Sequence, residues 1–330
     1  MSAAFPLLRL PDNAQRKVLS GFDAVQLINS SLLSNNAKTL VRSLNFTIAQ
    51  ITLCADEDFI EIQAIVDKEQ SVGWIFYPPE PSSRIQPVRG TVPIFVPSLV
   101  KAEKNFEETI YFKNPKMSIL EWLTLIIEVF NHPPILDILW TKPDCLFDMK
   151  SIKGIVERFN VGSHFFTRNC GVECAQLALR TMSESRTLAI ASPAFANPAE
   201  YQDILILNSK SIFIGFSFDF DLKISLDDIL IINSKLIHIM SRHITDKTIN
   251  RYLKHWIQGS NPRMENMRLE FEPNRIFDED VILKGLKYRS ARLIRQNQPI
   301  ICIRRKDGTN GIIVLEHLAE TRCFDFYVSN

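Results

Sequence analysis

KLIHIMSRHITDKTINRYLKHWIQGSNPRMENMRLEF, residues 235–271, reads as strand, helix, strand. In the first segment Ile239 alternates with His238, and in the last Leu269 alternates with Arg268 and Glu270. A period of two is that of a strand. Between them the period lengthens. Thr245 is a good N-cap, Ile249, Tyr252, Leu253, Trp256 and Ile257 form one stripe, and Gly259 sits where a helix ends.

Reading outward, the pattern recurs. Short apolar strands begin near Ile135, His164, Thr187, Ser211, Lys235 and Met264, at spacings of 29, 23, 24, 24 and 29 residues, with helical stretches between them. A strand plus a helix every 20 to 29 residues is the length signature of a leucine-rich-repeat-like solenoid. Each such unit leaves an apolar face open until a neighbour stacks on it. The detailed leucine and asparagine pattern is poor, so the repeat is degenerate. An open parallel α/β sheet has similar periods and is the rival. Either way the body is α/β.

The flanks differ. Gln298 to Arg305, Asp307-Gly308 and Gly311 to Leu315 read as a hairpin, and Cys323 to Val328 as a third strand. Upstream, residues 46–77 hold two to four strands in a period of two. Pro78, Pro79, Pro81 and Pro87 make the next stretch a loop. Ser118 caps a helix carrying Leu120, Leu123, Ile126, Ile127 and Phe130, which Pro133-Pro134 ends. Phe5 to Leu44 packs three helices into forty residues, starting at Asp12 or Asn13, re-capped at Asp23 and broken at Asn35-Asn36. So short a unit buries no self-sufficient core. Some of its apolar surface serves something else.

Bulk properties narrow the class. A chain of 330 residues holds two or three domains. With 46% hydrophobic and 23% charged residues it is an ordinary globular composition. A net charge of +1 exerts no general pull on nucleic acid or anionic lipid. Eleven glycines are few for glycine-rich phosphate loops. Phe5 to Leu8 is too short for a signal-peptide core, and no apolar run is long enough to cross a membrane. The six cysteines are scattered, which suits reduced thiols in a cytoplasmic or nuclear protein.

Known catalytic motifs are missing: there is no GxGxxG, GxxxxGK[ST], HExxH or GxSxG. Cys170 and Cys174 would share a helical face, but a structural zinc site needs four ligands. Asp219 and Asp221 resemble a carboxylate pair, yet a hard cation wants more oxygens. His238, His243 and His255 lack a paired nucleophile. Eight basic residues and no acid fall between Val281 and Lys306, with only Tyr288 interleaved for stacking. That reads as a solvated basic face rather than a nucleic-acid site. No cofactor or metal is expected.

Two stretches resemble known families. Phe5-Pro6-Leu7-Leu8-Arg9-Leu10-Pro11, then Val18-Leu19, Phe22-Asp23, Leu27, Ser31-Leu32-Leu33-Ser34, Ala37-Lys38 and Leu40-Val41 resemble the F-box in order and spacing. Ala14 and Asn13 depart from its preferences for a larger apolar residue and an acid. Ser241 to Lys247, Leu253 to Pro262 and Ile282 to Gly285 resemble the F-box-associated region of the large nematode F-box family. The resemblance implies a substrate-recruiting, non-catalytic subunit of an SCF-type cullin–RING ubiquitin ligase. It implies an F-box over residues 4–45, a β-rich connecting segment over 46–117 and an associated domain over 118–330. Leu10, Pro11, Val18, Leu19, Leu32 and Leu33 would bind the Skp-type adaptor, which carries the cullin scaffold. The target is an unknown protein.

For that target the strands offer a face. Ile190, Ile214, Ile239 and Leu269 are expected inward, leaving Ala189, Phe213, His238, Arg268 and Glu270 on the opposite side. If helices covered both faces, Phe213 would be core. The rival functions are an enzyme with an unrecognised pocket near His238 and Asp219, and a scaffold that binds the adaptor but recruits no target.

Overall fold

Pro11 opens the first helix by offering its carbonyl to the amides of Ala14 and Gln15, at 2.8 and 3.0 Å. The structure is a computed structural model. It describes residues 9–56, 58–66, 71–78, 97–104, 108–113, 116–131, 135–141, 148–167, 169–181, 186–191, 198–215, 223–293 and 298–329. Phe5 to Leu8, the Pro79, Pro81 and Pro87 stretch, Pro133-Pro134, Cys145 and the Asp219–Asp221 pair lie outside the described residues. The chain divides into two units, Met1–Gly162 and Ser163–Asn330.

The first unit begins with α1 (Asp12–Leu19), α2 (Ala24–Ser31) and α3 (Asn35–Arg42). Asp23 caps α2 in a reciprocal box with Gln26. Ser34 caps α3, accepting from the amide of Ala37. Asn35 and Asn36 therefore open the third helix rather than break the second, because the serine before them supplies the cap. Strands β1 (Gln50–Ala55), β2 (Ile60–Ile65), β3 (Ser71–Tyr77), β4 (Leu99–Lys104), β5 (Glu108–Lys113) and β6 (Ile135–Trp140) follow, in the order β6-β1-β2-β3-β4-β5. Among the described residues only the β1–β6 pairing of this unit is parallel. Helices α4 (Ile119–Val129) and α5 (Met149–Val156) complete the unit.

Ser118 caps α4 with Glu121 at its third position. The helix then packs against α2 and α3. Trp122 of α4 is fully buried, edge-on to Phe76 and Phe112 at 6.0 and 5.4 Å. Lys38 of α3 meets Glu128 of α4. The opening helices, too small to bury a core alone, thus share that of the unit.

The second unit is built from β7 (Asn160–Phe166, entering it at Ser163), α6 (Val172–Thr181), β8 (Thr187–Ile190), α7 (Pro198–Leu205), β9 (Ser211–Ile214) and α8 (Leu226–Ile231). There follow β10 (Leu236–Met240), α9 (Asp246–Gln258), β11 (Asn266–Phe271), α10 (Glu279–Leu283), β12 (Tyr288–Leu293), β13 (Gln298–Arg304), β14 (Asn310–His317) and β15 (Arg322–Ser329). Its strands run in the order β12-β13-β14-β15-β11-β10-β9-β8-β7. The pairings from β7 to β11 are parallel. β15 joins β11 antiparallel, and β14, β13 and β12 continue antiparallel.

The α/β class holds, with alternating strand and helix as the spacing predicts. The parallel run ends at β11, however, so the sheet is mixed rather than a stack of like repeats. Leucine-rich-repeat-like units are not confirmed. Cys170 precedes α6 instead of lying in it, so it and Cys174 do not share a helical face. Among the described residues no helix is long and apolar enough to cross a membrane, and no group of three or more His, Cys, Asp or Glu could hold a metal ion.

Candidate functional site

The strand register of the second unit sorts its side chains onto two faces. Met267 pairs with Phe326 and Leu269 with Phe324 across β11 and β15, and all four are buried. The α9 stripe lies on them: Tyr252 and Trp256 meet the Phe326 ring edge-on at 6.4 and 4.8 Å. Ile190, Ile214 and Ile239 are buried as expected.

The other face mixes half-exposed and buried side chains and is organised in rows. One row runs Phe213, His238, Arg268, Asp325 and Val314 over five neighbouring strands. A second, two residues along, runs Met240, Glu270, Cys323 and Glu316. A third runs Leu236, Asn266, Tyr327 and Ile312. Ala189 continues the first row but is fully buried, so the accessible stripe starts at Phe213. A cavity of about 190 Å³ opens here, lined by Phe213, Leu236, His238, Arg268, Asp325 and Tyr327 among others.

Polar pairs link the side chains of this face across its strands. The Arg268 guanidinium donates to both carboxylate oxygens of Asp325, at 2.7 and 2.8 Å, and to Glu316 at 3.1 Å. The Asp325 bonds hold the guanidinium proton more firmly than usual. Asp325 is 1% exposed, so Arg268 is its neutralising partner first and a surface residue second. Burial, and then the Asp325 charge, push the Glu316 carboxyl above its ordinary value. Tyr327 is raised for the same two reasons. His238 Nε2 lies 2.8 Å from Glu270 Oε2, and its ring sits 5.6 Å from that of Phe213.

The cavity thus gathers Phe213, His238 and Arg268, and Glu270 supports it from the adjoining row. Asp325, Glu316 and Tyr327 are missing from the sequence reading. They come from β14 and β15, and the pairing of β15 with β11 leaves no local signal. The segment resembling the associated region proves architectural. Thr245 caps α9, Gly259 takes φ 115° at its end, and Asn261 donates to three carbonyls at the end of α8. None of these lines the cavity.

In the first unit the candidate adaptor residues divide. Leu19 is 1% exposed and belongs to the core with Leu27, Ile28 and Val41. In the free chain its side chain is filled against its own unit. Val18, Leu32 and Leu33 are 38%, 36% and 70% exposed. Pro11 is exposed and Leu10 half-buried, its carbonyl accepting from the Gln15 side-chain Nε2 at 2.5 Å.

Comparison with known proteins gives a class first. Residues 7–49 match the F-box domain, and residues 200–269 match a family described as F-box associated. The chain therefore carries an F-box and an F-box-associated region, a combination typical of non-catalytic adaptors of SCF type. A relative is the F-box associated domain-containing protein sdz-33 of Caenorhabditis elegans, 22% identical over 327 residues that cover 95% of each chain. No solved structure matches the chain.

Proposed function

We propose that this protein is the substrate-recruiting subunit of an SCF-type cullin–RING ubiquitin ligase. Its F-box grips a Skp-type adaptor, and through it the cullin. The open sheet face of the second unit takes up a protein target. Functionally the chain then divides into an F-box (4–45), a connecting segment (46–117) and an associated domain (118–330), working in the cytoplasm or nucleus. The observation that carries the reading is the F-box match over residues 7–49, joined to large apolar side chains left in water at Val18, Leu32 and Leu33.

Exposed apolar residues on a folded helical unit suit an interface that buries them in a partner. Leu10 and Pro11 flank the same helix start. Ubiquitin transfer would occur elsewhere in the complex, so this chain needs no nucleophile. Co-expression with a Skp-type adaptor tests the reading: the two should co-purify through size exclusion, and Val18→Asp with Leu33→Asp should separate them while the chain stays folded. Undiminished co-purification of that double variant sinks it.

A further inference from the structure

The strand order of the second unit ends at β12, which pairs with β13 alone among the described residues. Ile301 and Ile303 of β13 are buried, yet their partners on the same face, Ser290 and Tyr288, are exposed. On the other face Arg289, opposite Cys302, is exposed too. An edge strand turns half of its N–H and C=O groups away from its neighbour. Among the described residues no backbone hydrogen bond joins β12 to any segment but β13. The turn that opens this strand is held in place, because Asn250 of α9 donates to the carbonyls of Ile282 and Lys284 at 2.7 and 3.0 Å. Charge gathers there. Lys284, Lys287 and Arg289 are exposed and meet no carboxylate among the described residues. A Cβ on Gly285 would lie 3.6 Å from Lys254 Nζ, so a further exposed cation stands over the same turn. The acids nearest in the chain, Asp278, Glu279 and Asp280, lie at the other end of α10, where Asp278 accepts from the Val281 amide as the cap.

We infer that β12 takes up an extended acidic segment of another protein, which adds to the sheet as a further strand. The segment's backbone pairs with the open edge, and its carboxylates meet Lys284, Lys287 and Arg289 in charge-assisted hydrogen bonds. This surface uses none of the residues proposed for the adaptor and none that line the cavity, and it does not depend on the ligase reading. Charge selects among strands. A second copy of β12 would bring like charges edge to edge and is disfavoured, as is any basic strand. The charge that blunts those pairings is what an acidic strand gains from. A nucleic-acid backbone is also anionic, but it cannot match the alternating donors and acceptors of a strand edge, and Tyr288 is the one aromatic residue in β12 on which a base could stack.

Selection from a displayed random peptide library on the full chain tests this. Enriched peptides should alternate Asp or Glu with β-branched or aromatic residues. Lys287→Glu with Arg289→Glu should weaken binding of a synthetic copy ~tenfold or more. The melting temperature should not change, since both side chains are exposed. Replacing the peptide's acids by lysine should restore binding to that variant. N-methylation of alternate peptide amides should abolish binding in one phase and spare it in the other, because only every second N–H of an added strand faces β12. Added salt should weaken the native complex. The inference is overturned if no enriched peptide depends on Lys287 and Arg289. It falls equally if both phases of N-methylation are tolerated, since the cations would then attract acid without adding a strand. A single-stranded oligonucleotide that binds through the same two cations more tightly than any peptide would overturn it in favour of nucleic acid.

Discussion

Trp256 of α9 stands edge-on to Phe326 of β15, their ring centroids 4.8 Å apart and their planes at 89°. Both are fully buried. The Arg305 guanidinium, 5.3 Å from the Trp256 ring, covers the indole and is itself held by Asp307 at 2.7 Å. This contact fastens the family-like helix to the antiparallel end of the sheet, and so holds β15, with Asp325 and Tyr327, in place behind the cavity.

Gly311 makes the contact possible. A Cβ there would lie 2.6 Å from two Phe326 ring carbons and 3.0 Å from Trp256 Cη2. Neither buried ring can swing away. Gly311→Ala is expected to destabilise the second unit by about 2–3 kcal/mol, the usual cost of overpacking. Thermal melting checks this, and an unchanged midpoint would show that the rings yield.

Asn261 combines two constraints. Its backbone has φ 48°, a left-handed conformation that asparagine tolerates better than most residues. Its side-chain amide donates to the carbonyls of Ile229, Leu230 and Ile232 at 3.1, 3.3 and 2.9 Å. Asn261→Gly keeps the first and deletes the second, leaving buried carbonyls unpaired at a cost of about 2 kcal/mol. Asn261→Ala adds strain and should melt lower still. Equal midpoints for the two variants would refute the backbone part of this account.

Gly259 shows what the sequence could reveal. It is legible as the end of a helix, because cap chemistry is local. The α9 stripe, the Ser118 cap and the β13–β14 hairpin are legible for the same reason. Strands β4 and β5 are absent from the sequence reading. In β4 only Val100 and Ala102 point fully inward, and Lys101, Glu103 and Lys104 break the apolar pattern. β12 reads as a basic patch because the described side chains of this edge strand, Tyr288 to Ala291, are all exposed. Charge on an edge blunts unwanted pairing but erases apolar alternation. The cavity is only half legible. Phe213, His238 and Arg268 follow from alternation within short apolar strands, whereas Asp325 and Glu316 depend on a long-range pairing that no local pattern encodes.

The Arg268–Asp325 pair governs how the open face can be probed. Removing the guanidinium leaves Asp325 buried without its partner. Arg268→Met is expected to cost about 2 kcal/mol, below the usual cost of a broken buried pair because the arginine keeps about a third of its surface in water. Arg268→Glu adds a carboxylate beside Asp325 and Glu316 and should cost more. Arg268→Met with Asp325→Asn should recover part of the loss. A double variant no more stable than Arg268→Met would show that the pair is not coupled. Loss of target capture in Arg268→Glu alone would report a damaged face, not a missing contact.

A pH signature belongs to the first unit. Glu61 of β2 has its carboxyl pushed above the ordinary value, chiefly by burial and further by Glu103 and Asp56, against the opposing hydrogen bond from Gln63. The folded chain therefore binds this proton more tightly than the unfolded chain. Its contribution to stability is fully present below the unfolded value and is lost as pH rises through the raised folded value. At pH 7 the ionised side chain is a net cost. Glu61→Gln should melt higher than the native chain at neutral pH, and the gain should shrink as pH falls toward about 4. A gain independent of pH, or a loss at pH 7, would contradict the burial argument.

The adaptor surface is separable from the core beneath it by comparing two leucines. Leu19 is fully buried, so Leu19→Ala should lower the stability of the first unit by about 3 kcal/mol through the cavity it leaves. Leu33 is 70% exposed in the turn between α2 and α3, where truncation costs the free chain little. If Leu33 is an anchor in the adaptor, Leu33→Ala should weaken that complex by about 2 kcal/mol at an unchanged melting temperature. Leu33→Asp should weaken it further, because a carboxylate would be carried into an apolar interface. Titrating the adaptor into each variant by calorimetry, with melting curves alongside, separates the two roles. The proposed surface fails if Leu33→Asp binds the adaptor as tightly as the native chain. It fails equally if its affinity falls only in step with its melting temperature, since the leucine would then be acting through the fold and not through contact.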